Sequence, residues 1–177
     1  MTKEELGREI FSASYLTGSF ILRSGVYSSE YFDKYRFESD PKILRAVARE
    51  FVNLLPTDIE MLAGMELGGI PLATALSLET GLPCLFVRKE AKSHGTQKSI
   101  EGVDFNGKKL CLIEDVVTTG GQVIDGINAI RGQGGILEHG LCVILRTGKA
   151  ARNLEQHGLE LHSLFTMQEI KLLTADQ

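Results

Sequence analysis

The chain has 177 residues, 43% of them hydrophobic, which suffices for one domain with a buried core and leaves little room for a second. A formal net charge of -4 argues against a broad nucleic-acid surface, which needs a basic face. No apolar run approaches the roughly 20 residues that cross a bilayer, and Met1-Thr2-Lys3-Glu4-Glu5 lacks the basic-then-apolar order of a secretory leader. The expected setting is therefore cytoplasmic, with neither membrane nor nucleic acid as partner. Cys84, Cys111 and Cys142 lie in or beside apolar stretches and lack zinc-site or redox spacing, so they read as small buried thiols.

In chain order, Leu6, Ile10 and Ser14 stand at helical spacing and predict a short opening helix. From Thr17 to Phe37 the chain is rich in Gly, Ser and aromatics and reads as a loop, too aromatic for a passive linker. Ser39-Asp40-Pro41 reads as a helix start, with a capping side chain before a first-turn proline. Leu44, Val47, Ala48, Phe51 and Leu55 then form one apolar face, and Pro56 closes the helix. Beyond it, apolar runs at 59–63, 84–87, 110–113, 141–145 and 159–165 predict strands, with helices at 70–80, 121–133 and 148–156 between several of them. Gly81, Gly134-Gly135 and Gly158 fall just past those helices, where a left-handed cap is wanted. The expected fold is α/β, an open and mostly parallel sheet flanked by helices. It forms one domain over 1–177, with an N-terminal hood over about 1–37 and a core over about 38–166.

Ligands of such sheets bind at the carboxyl ends of the strands, and three of these ends are unusual. Leu110-Cys111-Leu112-Ile113 leads into Glu114-Asp115-Val116-Val117-Thr118-Thr119-Gly120-Gly121-Gln122 at the start of a helix. Adjacent carboxylates at the mouth of an apolar strand cost desolvation unless they bind something, and sugar hydroxyls or a hydrated magnesium ion suit them. The threonines, glycines and free N–H groups that follow suit a phosphate. Together they fit a ribose 5-phosphate. After Leu85-Phe86-Val87, the run Arg88-Lys89-Glu90-Ala91-Lys92-Ser93-His94-Gly95-Thr96-Gln97-Lys98 gathers cations suited to a leaving pyrophosphate. Gly64-Met65-Glu66-Leu67-Gly68-Gly69 is a second glycine-rich strand-to-helix turn, and Arg146 ends the 141–145 strand with a planar fork suited to a carboxylate.

The segment from Glu114 to Gln122 closely resembles the phosphoribosyl pyrophosphate (PRPP) motif of type I phosphoribosyltransferases. Arg88-Lys89, Lys92, His94 and Ile100-Glu101-Gly102 resemble the flexible catalytic loop of orotate phosphoribosyltransferases, and the likeness runs from about Phe20 to Phe165. It implies the type I phosphoribosyltransferase fold and transfer of the 5-phosphoribosyl group from PRPP to orotate. The products would be orotidine 5'-monophosphate and pyrophosphate, a step of pyrimidine biosynthesis. It further implies Mg²⁺ held by PRPP and water rather than by side chains, and a homodimer with shared sites, because the family's loop reaches the neighbouring subunit. On this reading Lys92, Lys89, Arg88 and His94 are catalytic and touch PRPP, as does the whole of 114–122. Glu66, Leu67, Gly68 and Gly69 form the pyrophosphate loop. Thr118, Arg146, Tyr31, Phe32 and Arg23 face orotate, although many members carry lysine in place of Arg23. The PRPP motif does not separate orotate from other bases; the basic loop, Arg146 and the aromatic hood do. A regulator that kept the fold to bind nucleic acid would show a basic surface and a degraded loop, and this chain has neither.

Overall fold

The computed structural model describes residues 1–22, 25–89 and 99–174. The opening helix is α1 (Lys3–Ser14), capped by Thr2 and Glu5 in a reciprocal box, with Leu6, Ile10 and Ser14 buried as the spacing requires. The stretch expected as a loop is instead a hairpin of β1 (Tyr15–Ile21) and β2 (Tyr27–Phe32), followed by the five-residue α2 (Lys34–Glu38). The register slips between Thr17 and Phe20. Gly18 and Ser19 sit in that irregularity and break the alternation that announces a strand.

Asp40 caps α3 (Pro41–Leu54), accepting from the N–H groups of Lys42 and Ile43. Its buried face is Ile43, Val47, Ala48 and Phe51, with Leu44 and Leu55 packed at the margin. Phe51 is fully enclosed, and truncating such a side chain to Ala costs about 3–5 kcal/mol. The remaining elements are β3 (Met61–Met65), α4 (Gly69–Thr80), β4 (Cys84–Val87), β5 (Ile100–Glu101), β6 (Lys109–Val117), α5 (Gly121–Gly132), β7 (Ile136–Leu145), α6 (Gly148–Gln156), β8 (Glu160–Thr166) and α7 (Met167–Leu172). Gly81, Gly134 and Gly158 all take positive φ past their helices. The short β5 and α7 escape the sequence reading, although Thr166 and Glu169 form a second capping box at the start of α7.

The six-stranded sheet has the order β5-β4-β3-β6-β7-β8, parallel except for β5. Helices α1, α3, α4 and α7 cover one face through Leu6, Phe51, Leu72 and Ile170, and α5 and α6 cover the other through Ile127, Ile130 and Leu154. From β3 the chain crosses by α4 to β4 on one side, and from β6 by α5 to β7 on the other. The connections diverge between β3 and β6, and this switch point opens a crevice at the carboxyl ends of those two strands.

Candidate active site

Two helices aim their N-termini at that crevice, and both begin at glycine. Thr2, Asp40, Thr147 and Thr166 cap α1, α3, α6 and α7 with side-chain oxygens. Gly68 and Gly120 leave α4 and α5 without a side-chain cap. The first N–H groups of α5, from Gly121 to Val123, have no partner inside the helix and carry the positive end of its dipole. Gly120 needs its left-handed φ of 84° to turn the chain from β6 into the helix. Thr118 and Thr119 stand exposed, while their carbonyls face away toward Thr147 Oγ1 at 3.3 Å and Asn153 Nδ2 at 3.4 Å. Such an arrangement receives an anion on backbone donors.

The turn before α4 presses directly on β6. A Cβ at Gly68 would lie 1.7 Å from Asp115 Oδ2 and 2.6 Å from Glu38 Oε1, and one at Gly69 would lie 2.2 Å from the Ile113 carbonyl. Gly68 has an ordinary helical φ of -68°, so space and not conformation demands glycine there. Glu66 ties the three strand ends together. Its N–H donates to the Val87 carbonyl at 2.8 Å, its carboxylate accepts from the Lys89 N–H at 2.8 Å, and its carbonyl accepts from Gln122 Nε2 at 2.9 Å. The peptide between Glu66 and Leu67 is cis. A cleft of about 480 Å³ opens beside these contacts, lined by Arg88, Lys89, Ser99, Gln122 and Asp125 among others.

The acidic pair lies deeper than a strand mouth. β6 continues through Glu114 and Asp115 to Val117, and both carboxyls are buried, Asp115 completely. Glu114 Oε1 accepts from the Asp115 N–H at 3.0 Å, and Asp115 Oδ1 accepts from the Val116 N–H. Lys34 of α2 reaches Asp115 Oδ2 at 2.6 Å. Burial and the neighbouring Asp115 push Glu114 well above the usual carboxyl range. Burial, together with a hydrogen bond to Asp115, pushes Glu38 up to about 9. Burial alone would raise Asp115 as well, but hydrogen bonds with Glu114 and Glu38 and the Lys34 ammonium hold it below the ordinary value. The negative charge is thus favoured on Asp115, between two carboxyls that burial and its own charge push up. Sequence reading missed Lys34 and Glu38. Their i, i+4 spacing on a short helix beside the buried Phe37 is the signal that marks them as one face.

Of the other expected site residues, Tyr31 and Phe32 point to opposite faces of β2. Phe32 packs on the core, and Tyr31 stays exposed, stacked on Phe20 with centroids 5.5 Å apart. Arg146 stands exposed at the end of β7, its N–H bonded to the Val117 carbonyl at 2.9 Å, which fixes it beside the Thr118 turn. Arg88 and Lys89 leave β4 toward the cleft, and the Arg88 N–H donates to the Ser99 carbonyl at 2.8 Å. Lys92, His94 and Arg23 lie outside the described residues. Cys111 and Cys142 are buried free thiols, and burial pushes Cys111 up to about 12, which leaves it an inert core residue.

A switch-point crevice with an acidic pair leading into an uncapped helix is the architecture of a phosphoribosyl transferase domain, and the profile of that domain matches residues 36–170. Over 165 residues the chain is 47% identical to an orotate phosphoribosyltransferase of a Nocardioides species, covering 93% of this chain and 92% of the relative. Among solved structures, a Mycobacterium tuberculosis orotate phosphoribosyltransferase superposes with a TM-score of 0.86 at 29% identity, over 95% of this chain and 98% of that one. The same mycobacterial enzyme in complex with PRPP gives a TM-score of 0.81 at 26% identity, over 96% and 98% of the two chains. The chain belongs to the orotate phosphoribosyltransferase family.

Proposed function

We propose that this protein transfers the 5-phosphoribosyl group of PRPP to orotate, forming orotidine 5'-monophosphate and releasing pyrophosphate in pyrimidine biosynthesis. The observation that carries the reading is the uncapped start of α5, set directly after Glu114 and Asp115 at the switch point. The 5-phosphate lies on the N–H groups and hydroxyls from Thr118 to Gln122. The ribose hydroxyls donate to the Glu114 and Asp115 carboxyls, of which Lys34 and Glu38 otherwise hold Asp115. The pyrophosphate runs along Glu66 to Gly69 and the cleft at Arg88 and Lys89. Orotate meets Arg146, Thr118 and the hood, where Tyr31 has the exposed ring and Phe32 supports it from the core side. Arg23 is assigned to the same region.

The orotate ring nitrogen attacks the anomeric carbon as the bond to pyrophosphate breaks, with bond breaking running ahead. Lys89, Arg88, Lys92 and His94 stabilise the charge that gathers on the leaving oxygens more than they stabilise the bound substrate. Holding both reactants in line can lower such a barrier by up to about 7–11 kcal/mol. Mg²⁺ suits the exposed carboxylate of the cleft, Asp125, as a partner of its water shell, whereas buried Glu114 and Asp115 offer it no direct ligand. When bound, the ion neutralises the pyrophosphate. The segment from residue 1 to about 37 acts as a hood on a single catalytic domain, and the protein works in the cytoplasm as a homodimer with shared sites. None of the described helices is long and apolar enough to cross a membrane.

The deciding experiment follows orotate absorbance after mixing protein with PRPP, with Mg²⁺ and then with chelator. Magnesium-dependent loss of orotate, matched by equal pyrophosphate, is the expected result. Tight PRPP binding with no loss of orotate would overturn the choice of base and direct the search to purines.

A further inference from the structure

Three donor side chains share one face of β7 and β8, at the far edge of the sheet from β5. In the parallel register His139 pairs with Glu160 and Leu141 with His162. Glu160 and His162, two residues apart on one strand, project the same way, and His139 stands beside them. His139 Nδ1 lies 3.5 Å from Glu160 Oε2, and His162 Nε2 lies 3.4 Å from Glu160 Oε1. The two imidazoles are nearly parallel, inclined at 18° with centroids 6.5 Å apart. One donor atom from each of the three side chains falls within 4.8 Å of the other two.

These separations have a chemical meaning. Ligands about 2.0–2.2 Å from a common tetrahedral ion stand roughly 3.3–3.6 Å apart, and each imidazole nitrogen lies at such a distance from one of the two Glu160 oxygens. His139 Nδ1 is shielded from water, yet no group among the described residues meets it in hydrogen-bond geometry. A shielded polar atom without a partner is rare in a folded protein and marks a place where one is expected. We propose that His139, Glu160 and His162 form a binding site for a zinc-like divalent transition-metal ion, with water completing its coordination.

The donor set selects against the metal of the transfer reaction. Two imidazole nitrogens suit zinc, nickel or copper, whereas magnesium prefers an all-oxygen shell. The side chains are 27%, 64% and 37% exposed for His139, Glu160 and His162, so an ion can reach them from solvent. β7 runs on from His139 to Leu145, which places the site roughly 20 Å from the phosphate loop at 3.3 Å per residue. The ion therefore clips the edge strand β8 to β7 and takes no part in the reaction.

The test titrates metal-stripped full-length protein with zinc chloride by calorimetry, in a buffer with excess Mg²⁺. One zinc per chain is expected, with affinity falling by about tenfold or more in His139→Ala and in His162→Ala. Both variants should keep parental Mg²⁺-supported turnover, which shows that they fold. Absence of zinc uptake by the parent, or undiminished uptake by the double variant, would overturn the proposal. X-ray absorption of the zinc-loaded parent decides the matter without any variant. Two imidazoles and an oxygen donor support the site, and sulfur neighbours, which would be the cysteines, sink it.

Discussion

Asp115 is fully buried, and the groups around it explain how a charge survives there. Lys34 meets it at 2.6 Å, and Glu38, only 5% exposed, shares its remaining space. The folded-state value of Glu38 is about 9, raised above its ordinary value of 4.5 by burial and by its bond to Asp115. Its contribution to stability is therefore complete below about pH 4.5 and is lost as the pH rises toward about 9, because over that window the unfolded chain releases the proton more readily. Glu114, also raised, acts in the same sense; Asp115, lowered, matters only in acid. Glu38→Gln keeps the shape and makes the neutral form permanent. Melts at about pH 5 should then match the parent within about 0.5 kcal/mol, and at about pH 8.5 the variant should be the more stable by 1 kcal/mol or more. Parallel stability curves for the two proteins would mean that Glu38 carries no buried proton.

At the scale of elements, the glycines that begin α4 and those that end helices serve different ends, and substitution separates them. Gly81 ends α4 at a φ of 76° with open space around its missing side chain. Gly81→Ala should cost about 1 kcal/mol in stability and leave turnover intact. Gly68, at a φ that alanine adopts freely, has no room, because its Cβ would strike Asp115. Gly68→Ala must push the turn off β6 or displace the carboxylate, and steady-state assays should show turnover reduced by about a hundredfold or more. Mild loss at Gly68 would show that the crevice tolerates movement there. These contrasts also mark what the sequence could reveal. β4 and α6 carry the expected bounds because a short apolar run and a glycine-flanked amphipathic stretch are local signals. The hairpin was hidden by Gly18 and Ser19 in its bulge, and β6 looked shorter because Glu114 and Asp115 are polar residues inside a strand. Lys34 and Glu38 escaped because their meaning lies in Asp115, far along the chain, and only the folded turn at Gly68 brings them together. The phosphate turn was legible because its chemistry is contiguous. The Glu66 ties to Lys89 and Gln122 were not, because they join three separate loops.

The whole molecule poses the question of a second subunit, and α4 gives the physical ground for one. That helix carries apolar residues on its outer side as well as its inner one, beside the exposed Thr74 and Glu79. Leu72, Ala73 and Leu76 face the core, while Leu78 and the preceding Leu67 are 84% and 57% exposed, with Ile70 and Pro71 half-buried between them. A surface helix normally turns a polar face outward, so this stripe calls for a covering surface, and it begins at the candidate pyrophosphate loop. On the proposed homodimer, a partner chain is that covering surface. If sites are shared, each is built from Asp115 of one chain and Lys92 of the other. Homodimers of Lys92→Ala and of Asp115→Asn should both be nearly inactive. In a mixed dimer, one site would join the intact Asp115 of the first chain to the intact Lys92 of the second, and the other site would carry both lesions. Random exchange makes half of the dimers mixed, each with one working site of two, so about a quarter of parental turnover should return. Size-exclusion chromatography with differently tagged chains verifies the exchange. Proven mixed dimers without recovered turnover would place Lys92 and Asp115 in the same chain's site, and the covering of α4 would then serve stability alone.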